Sequence, residues 1–272
     1  MKVLRSIFLF LFVTVVTASV FAAPQSDSDF RWQGRMGAGK TLEIKGVNGE
    51  VRAEGSSSDD VEIVAIKRSS WGRGDADKVH IKLVEHADGI TVCALYPQRD
   101  GGYDTCKPGS GGQSNYKNNT SVTFTVRVPR DVHFIGRTVN GSVTARGLGG
   151  NVQASTVNGG IDVATKGYAE ASTVNGSITV ACGRANWDDR LEFNTVNGSI
   201  EVALPETART EINASTVNGR ITTDLPLTIK GEMNKRRLRG VLGGGSEAGR
   251  QLKLNTVNGS ITVKGGRGAS DS

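Results

Sequence analysis

Ser172-Thr173-Val174-Asn175-Gly176-Ser177-Ile178-Thr179-Val180 contains one of six copies of the phrase Thr-Val-Asn-Gly, and the reading of that phrase decides the fold. Its asparagine recurs as Asn140, Asn158, Asn175, Asn197, Asn218 and Asn258, at intervals of 18, 17, 22, 21 and 40 residues. The last interval is close to two repeats, so Leu238-Arg239-Gly240-Val241-Leu242-Gly243 is expected to supply a missing one. A degenerate copy, Gly46-Val47-Asn48-Gly49-Glu50-Val51, lies far upstream. A recurring period of about twenty residues is the mark of a repeat architecture whose units cannot bury their apolar faces alone.

Aligned on Asn, the copies place Val143, Ile161, Ile178, Ile200, Ile221 or Ile261 three residues later, and Ala145, Val163, Val180, Val202, Thr223 or Val263 five later. Polar residues such as Asp162, Ser177, Thr179 and Glu201 stand between or beside them. A period of two predicts a strand with one buried face. A second strand precedes the phrase, carried by Val152 and Ala154, Leu191 and Phe193, Ile212 and Ala214, and Leu252 and Leu254. Between those pairs and the valine before Asn the parity shifts by one, which places a bend or bulge near the Ser-Thr step. Each unit reads as strand, bend, strand and loop, and stacking covers the apolar positions of one unit with those of the next. The six asparagines then form a ladder of side-chain amides, with Gly after Asn where the backbone needs positive φ or a close approach.

The fold expected is all-β: a single-stranded β-helix or solenoid-like stack of short strands with an irregular N-terminal β cap. The alternative is an antiparallel meander or sandwich, because Asn-Gly between alternating apolar residues is also a hairpin signal. The variable spacing then needs extra residues to bulge out as loops, such as Gly183 to Asp189. Residues 1–22 read as a signal peptide, 23–40 as a flexible linker, 41–135 as the cap, 136–264 as the repeat array and 265–272 as a disordered tail. The signal reading rests on Lys2 and Arg5 before the apolar run from Ile7 to Val16 and the small residues near Ala22. In the cap, strands are expected at Leu42 to Lys45, Val61 to Lys67, Val79 to Val84, Ile90 to Leu95 and Ser121 to Val128.

The formal net charge of +6 falls to +4 without Lys2 and Arg5. That mild excess lacks the concentrated charge of a nucleic-acid binder. No transmembrane segment is expected after signal cleavage. Of three cysteines, Cys93 and Cys106 bracket one loop and are expected to pair, while Cys182 reads as a buried free thiol. The segment Gln98 to Asn119, rich in Gly, Ser, Asn and Asp, is a candidate contact surface or a tolerated insertion.

These residues resemble a known family. The Ser172 to Val180 series, the lead-in Val128-Pro129-Arg130-Asp131, and Lys235-Arg236-Arg237-Leu238-Arg239-Gly240 before a Gly-rich run are similar to the bacterial "putative adhesin" family, a domain of unknown function, over about residues 42–263. The resemblance implies an exported or membrane-anchored β-solenoid with no catalytic residue to carry over. The anchored members' membrane segment has no counterpart in the tail Gly-Arg-Gly-Ala-Ser-Asp-Ser.

Catalysis on such a scaffold needs titratable groups gathered on one face of adjacent rungs. Asp162, Glu201, Asp188, Asp189 and Asp224 fall at different offsets, so no enzyme and no cofactor is expected. His80 and His86, six apart, could share a strand face as metal ligands, and His133 stands apart; satisfied strand histidines are the plainer reading. The basic run Lys235, Arg236, Arg237 and Arg239, with Lys230, is a candidate contact for an anionic polymer, or else a solvated loop guarding a strand edge. Arg73-Gly74-Asp75 spells a cell-recognition tripeptide of low specificity, and the Asn-Gly-Ser copies match a glycosylation pattern simply because the repeat does. The partners expected are an envelope glycan, an anionic lipid or another surface protein, with no nucleic acid and no determinable oligomeric state. The function expected is a non-enzymatic cell-envelope adhesin or binding scaffold; the alternative is a structural or stress-related periplasmic protein, and a carbohydrate-active enzyme comes last.

Overall fold

The structure, a computed structural model, describes residues 29–69, 76–109, 113–230, 234–243 and 250–266. The expected signal peptide, Arg73-Gly74-Asp75 and residues 267–272 of the expected tail lie outside these. The strands are β1 (Phe30–Arg35), β2 (Thr41–Lys45), β3 (Val51–Ser56), β4 (Asp60–Ser69), β5 (His80–His86), β6 (Gly89–Leu95), β7 (Thr120–Pro129), β8 (His133–Arg137), β9 (Val143–Leu148), β10 (Val152–Ser155) and β11 (Ile161–Thr165). They continue with β12 (Ala169–Ser172), β13 (Ile178–Cys182), β14 (Arg190–Asn194), β15 (Ile200–Pro205), β16 (Thr210–Asn218), β17 (Ile221–Thr223), β18 (Leu227–Ile229), β19 (Arg237–Leu242), β20 (Gln251–Asn258) and β21 (Ile261–Gly266).

Each repeat gives one strand to each of two sheets, with the Thr-Val-Asn-Gly phrase as the corner between them. One sheet runs β1-β4-β7-β3-β9-β11-β13-β15-β21-β17, the other β18-β19-β16-β20-β14-β12-β10-β8-β2-β6-β5. Successive rungs pair in parallel, which is the solenoid arrangement. Antiparallel pairing is found toward the ends, in β1 with β4, β4 with β7, β5 with β6, and β19 with β16 and β18.

The register explains why each repeat favours the same residue types. Ile161 pairs with Ile178, Ile178 with Ile200, Ile200 with Ile261 and Ile261 with Ile221, so identical side chains stack between the sheets. Across from them, Ala171, Phe193, Leu254 and Ala214 form a second column. All of these are buried. Columns of apolar residues at one rung spacing exclude water from the inner face of each sheet.

Several expectations are corrected. The period-two burial of Val152 and Ala154 runs on without a shift to Thr156, and Val157 faces outward. The parity changes within the corner, between Thr and the following Ile, rather than at the Ser-Thr step. Leu238 to Gly243 supplies no rung: β19 lies antiparallel outside β16. The long interval has a topological cause, since β20 and β21 insert between β14–β15 and β16–β17. Residues 30–35, within the stretch expected to be a linker, form β1 paired with β4. The expected boundary at 135/136 falls inside β8, and β2–β3 is an ordinary rung beside β8–β9. The excursion from Gly183 to Asp189 returns inward to bury Trp187, whose indole Nε1 donates to the Gln251 carbonyl at 3.1 Å.

Candidate functional site

Each of the four residues of the corner has its own role. The threonine points inward, and its hydroxyl spans the rungs. Thr156 Oγ1 donates to the Gly141 carbonyl at 2.8 Å, Thr173 to Gly159 at 3.0 Å, Thr195 to Gly176 at 2.9 Å and Thr256 to Gly198 at 2.8 Å. These buried hydroxyls satisfy carbonyls that turn away from the strand ladder. The glycine is needed for space: a Cβ on Gly159 would overlap the Gly141 carbonyl oxygen, and one on Gly176 would overlap that of Gly159. The asparagines are exposed and donate in one direction: Asn140 to Asn48 at 2.9 Å, Asn158 to Asn140 at 2.9 Å, Asn175 to Asn158 at 2.9 Å, Asn197 to Asn175 at 2.8 Å, Asn258 to Asn197 at 2.7 Å and Asn218 to Asn258 at 2.8 Å. Their spatial order thus exchanges the last two members and adds Asn48 at the other end. The valine between Thr and Asn stands in solvent in five of the six copies, from 38% exposed at Val157 to 54% at Val217, while Val139 is partly buried.

The ladder ends against two irregular segments. At the N-terminal end, β6 and β7 pair with β2 and β3 as a rung whose corner is replaced by residues 96–119. Cys93 and Cys106 are bonded there, with Cα atoms 5.7 Å apart. The disulfide-pinned strap lies down on the outer face of the sheet rather than projecting as a free loop. Lys45 Nζ donates to the carbonyls of Lys107 at 2.7 Å and Gly109 at 2.6 Å, and the Gly109 amide donates to Glu43 at 3.0 Å. Glu43, 2% exposed, also meets Arg137 at 3.1 Å. Burial pulls the Lys45 ammonium below its ordinary pKa, Glu43 partly restores it, and Arg137 lowers it further.

Beyond Arg137 the same outer face opens into a polar groove of about 420 Å³ lined by Gln153, Ser155, Glu170, Ser172, Glu192 and Asn194 among others. Burial, reinforced by the neighbouring Glu192 charge, raises the Glu170 carboxyl above its ordinary value, with a backbone hydrogen bond from Glu192 opposing. The groove was missed in the sequence because its members sit between the apolar positions at unremarkable Ser, Gln and Glu.

At the C-terminal end, the basic run is divided by its strand. Arg237 and Arg239 project from β19 on either side of buried Leu238. With Lys230, Asn213, Ser215 and Asn234 they line a recess of about 450 Å³. Arg239 Nε pairs with Glu211 at 3.0 Å. Lys235 and Arg236 are exposed, and their backbone carbonyls cap the last corner, accepting from Ile221 at 3.1 Å and Thr216 at 2.9 Å.

The histidines are not brought together as a site. His80 packs edge-on against Tyr103, His86 Nε2 lies 3.2 Å from Thr91 Oγ1, and His133 Nδ1 accepts from the Asn151 amide at 2.9 Å. Among the described residues no cluster of three or more His, Cys, Asp or Glu could hold a metal, and no helix is long and apolar enough to cross a membrane. Cys182 is a buried free thiol, pushed up to about 12 by burial.

Among solved structures, the chain is similar to a "putative cell adhesion protein" from Clostridium sporogenes ATCC 15579, at 13% identity over 88% of this chain and 100% of that one, with a TM-score of 0.44. It is similar also to a "putative adhesin" from Bacteroides fragilis NCTC 9343, at 12% identity over 88% of this chain and 98% of that one, with a TM-score of 0.35. A search of the curated proteins finds no match. The profile of one protein family matches residues 12–264, from before β1 into β21, and the chain therefore belongs to the Toastrack DUF4097 family.

Proposed function

We propose that this protein is an exported, non-enzymatic binding scaffold of the cell envelope that holds an anionic glycan at the basic end of its stack. The observation that carries this reading is the recess in which Arg237, Arg239 and Lys230 stand beside the neutral donors of Asn213, Ser215 and Asn234. Cations set among amides and hydroxyls suit a polymer that offers both carboxylate or phosphate groups and sugar hydroxyls. Lys235 and Arg236 extend the positive field past the recess. The N-terminal charge and apolar pattern supports export, and the outward Ser, Thr and Asn residues of the rungs support a surface that binds without reacting.

Retention of the full chain on alginate-coated beads, with dextran-coated beads as the neutral reference, tests the reading. Replacing Arg236, Arg237 and Arg239 by Ser should lower alginate affinity about tenfold, and added salt should weaken the parent in the same way. Unchanged retention of the triple variant would overturn it. Retention on anionic vesicles but not on alginate would reassign the recess to lipid headgroups.

A further inference from the structure

Of the eight exposed large apolar residues among the described residues, five stand at one place, the others being Tyr103, Tyr116 and Ile229. Val157, Val174, Val196, Val257 and Val217 follow one another in rung order along the corner, each beside a ladder asparagine. With partly buried Val139 they extend over six rungs, about 24 Å at the usual strand spacing. The flanking residues on the central rungs are uncharged: Ser172, Asn194 and Asn255 before the threonines, Gly160, Ser177, Ser199 and Ser260 after the glycines.

Three properties of this edge restrict what it can hold. It is one side chain wide, so its apolar area falls short of the roughly 800 Å² per partner of a stable protein interface. Its backbone is engaged between rungs: Asn158 N bonds the Val139 carbonyl at 2.7 Å, Asn175 N that of Val157 at 2.8 Å and Asn197 N that of Val174 at 2.8 Å. An added peptide strand would find no free ladder there. Each asparagine uses one N–H and one acceptor site in the ladder, which leaves its second N–H and second lone pair toward solvent. Every central rung therefore offers one isopropyl group, one donor and one acceptor, with no charge.

We propose that the Val-Asn corner is a binding track for a neutral, linear, ribbon-like polysaccharide. Its pyranose faces rest on Val157, Val174, Val196 and Val257, and its hydroxyls exchange hydrogen bonds with the outer amide groups of the ladder. Because the ladder amides all donate in one direction, the track distinguishes the two directions of the glycan chain. The inference does not rest on the anionic-glycan reading, since the two use different side chains.

Cellohexaose and cellobiose titrated into the full chain by calorimetry provide the test. The hexasaccharide should bind at least about tenfold more tightly than the disaccharide, because it spans several rungs. Replacing Val157, Val174 and Val196 by Ser should remove most of that difference, and Val174→Lys alone should weaken binding at the track's centre without touching the core. The Arg236, Arg237 and Arg239 variant should bind cellohexaose like the parent. Absence of cellohexaose binding, equal affinity for both saccharides, or unaltered binding by the valine variants would overturn the proposal.

Discussion

At the residue scale, the corner assigns opposite surroundings to neighbouring side chains. Threonine and valine have nearly the same shape, yet Thr173 is 3% exposed and Val174 is 39% exposed. The hydroxyl decides the inward position because a carbonyl of the adjacent rung needs a donor there. Replacing Thr173 by Val keeps the volume but orphans the Gly159 carbonyl, and should cost about 1–3 kcal/mol by denaturant unfolding. Gly159→Ala should be more damaging than an exposed glycine change such as Gly39→Asn, since its Cβ meets the backbone of the next rung while Gly39 has open space around it. Glu170 supplies a pH dependence with a definite sign. Its folded pKa is raised above 4.5, so its contribution to stability is fully present below that value and is lost as pH rises through the folded pKa. Glu170→Gln should therefore gain in melting temperature relative to the parent between acidic and neutral pH. A constant difference across that range would show that the carboxyl is not held as described.

At the scale of elements, the legible part of the fold was whatever repeats in register. The period alone places the Ile positions of β13 and β15 in the core, and Ile178 and Ile200 do stack there. Changing both to Asp should place unpaired charges between sheets and abolish the cooperative melt followed by circular dichroism. The inward threonine was not legible, because Thr and Val at adjacent positions satisfy either parity until the corner geometry is known. Strand β1 was obscured by its composition: Phe30-Arg31-Trp32-Gln33-Gly34-Arg35 presents a half-exposed edge rather than a buried alternation. The strap resisted reading for a different reason. Its hydrogen bonds to Glu43 and Lys45 join residues more than sixty positions apart, and a polar loop gives no local sign of the surface it covers. Removing its staple by Cys93→Ser and Cys106→Ser should cost about 2–3 kcal/mol and raise hydrogen exchange in β2 and β6 before the distal rungs.

At the scale of the whole molecule, the spacing of 40 residues concealed a change of order. The spacing reads as a degenerate repeat at Leu238 to Gly243, and composition does not separate that from the detour the chain makes. Only the pairing of β20 with both β14 and β16 does so. The basic recess has the same origin, since β19 belongs to the detour that precedes the inserted rung. Pattern therefore exposed the middle of the stack, and the features that distinguish its ends arose from long-range pairing.

The inserted rung sets a sequence in time. A chain that emerges N-terminus first can lay down β8 to β15 one rung after another, each on a finished surface. The next rung to emerge, β16–β17, has no rung to settle on until β20 and β21 have been made, because its place is on their far side. A chain ending at residue 249 should therefore protect β8 to β15 from protease and leave β16 to β19 open to cutting, whereas the chain of 272 residues should protect both. Strands β20 and β21 act as a keystone, and β16–β17 is seated only after they have been released.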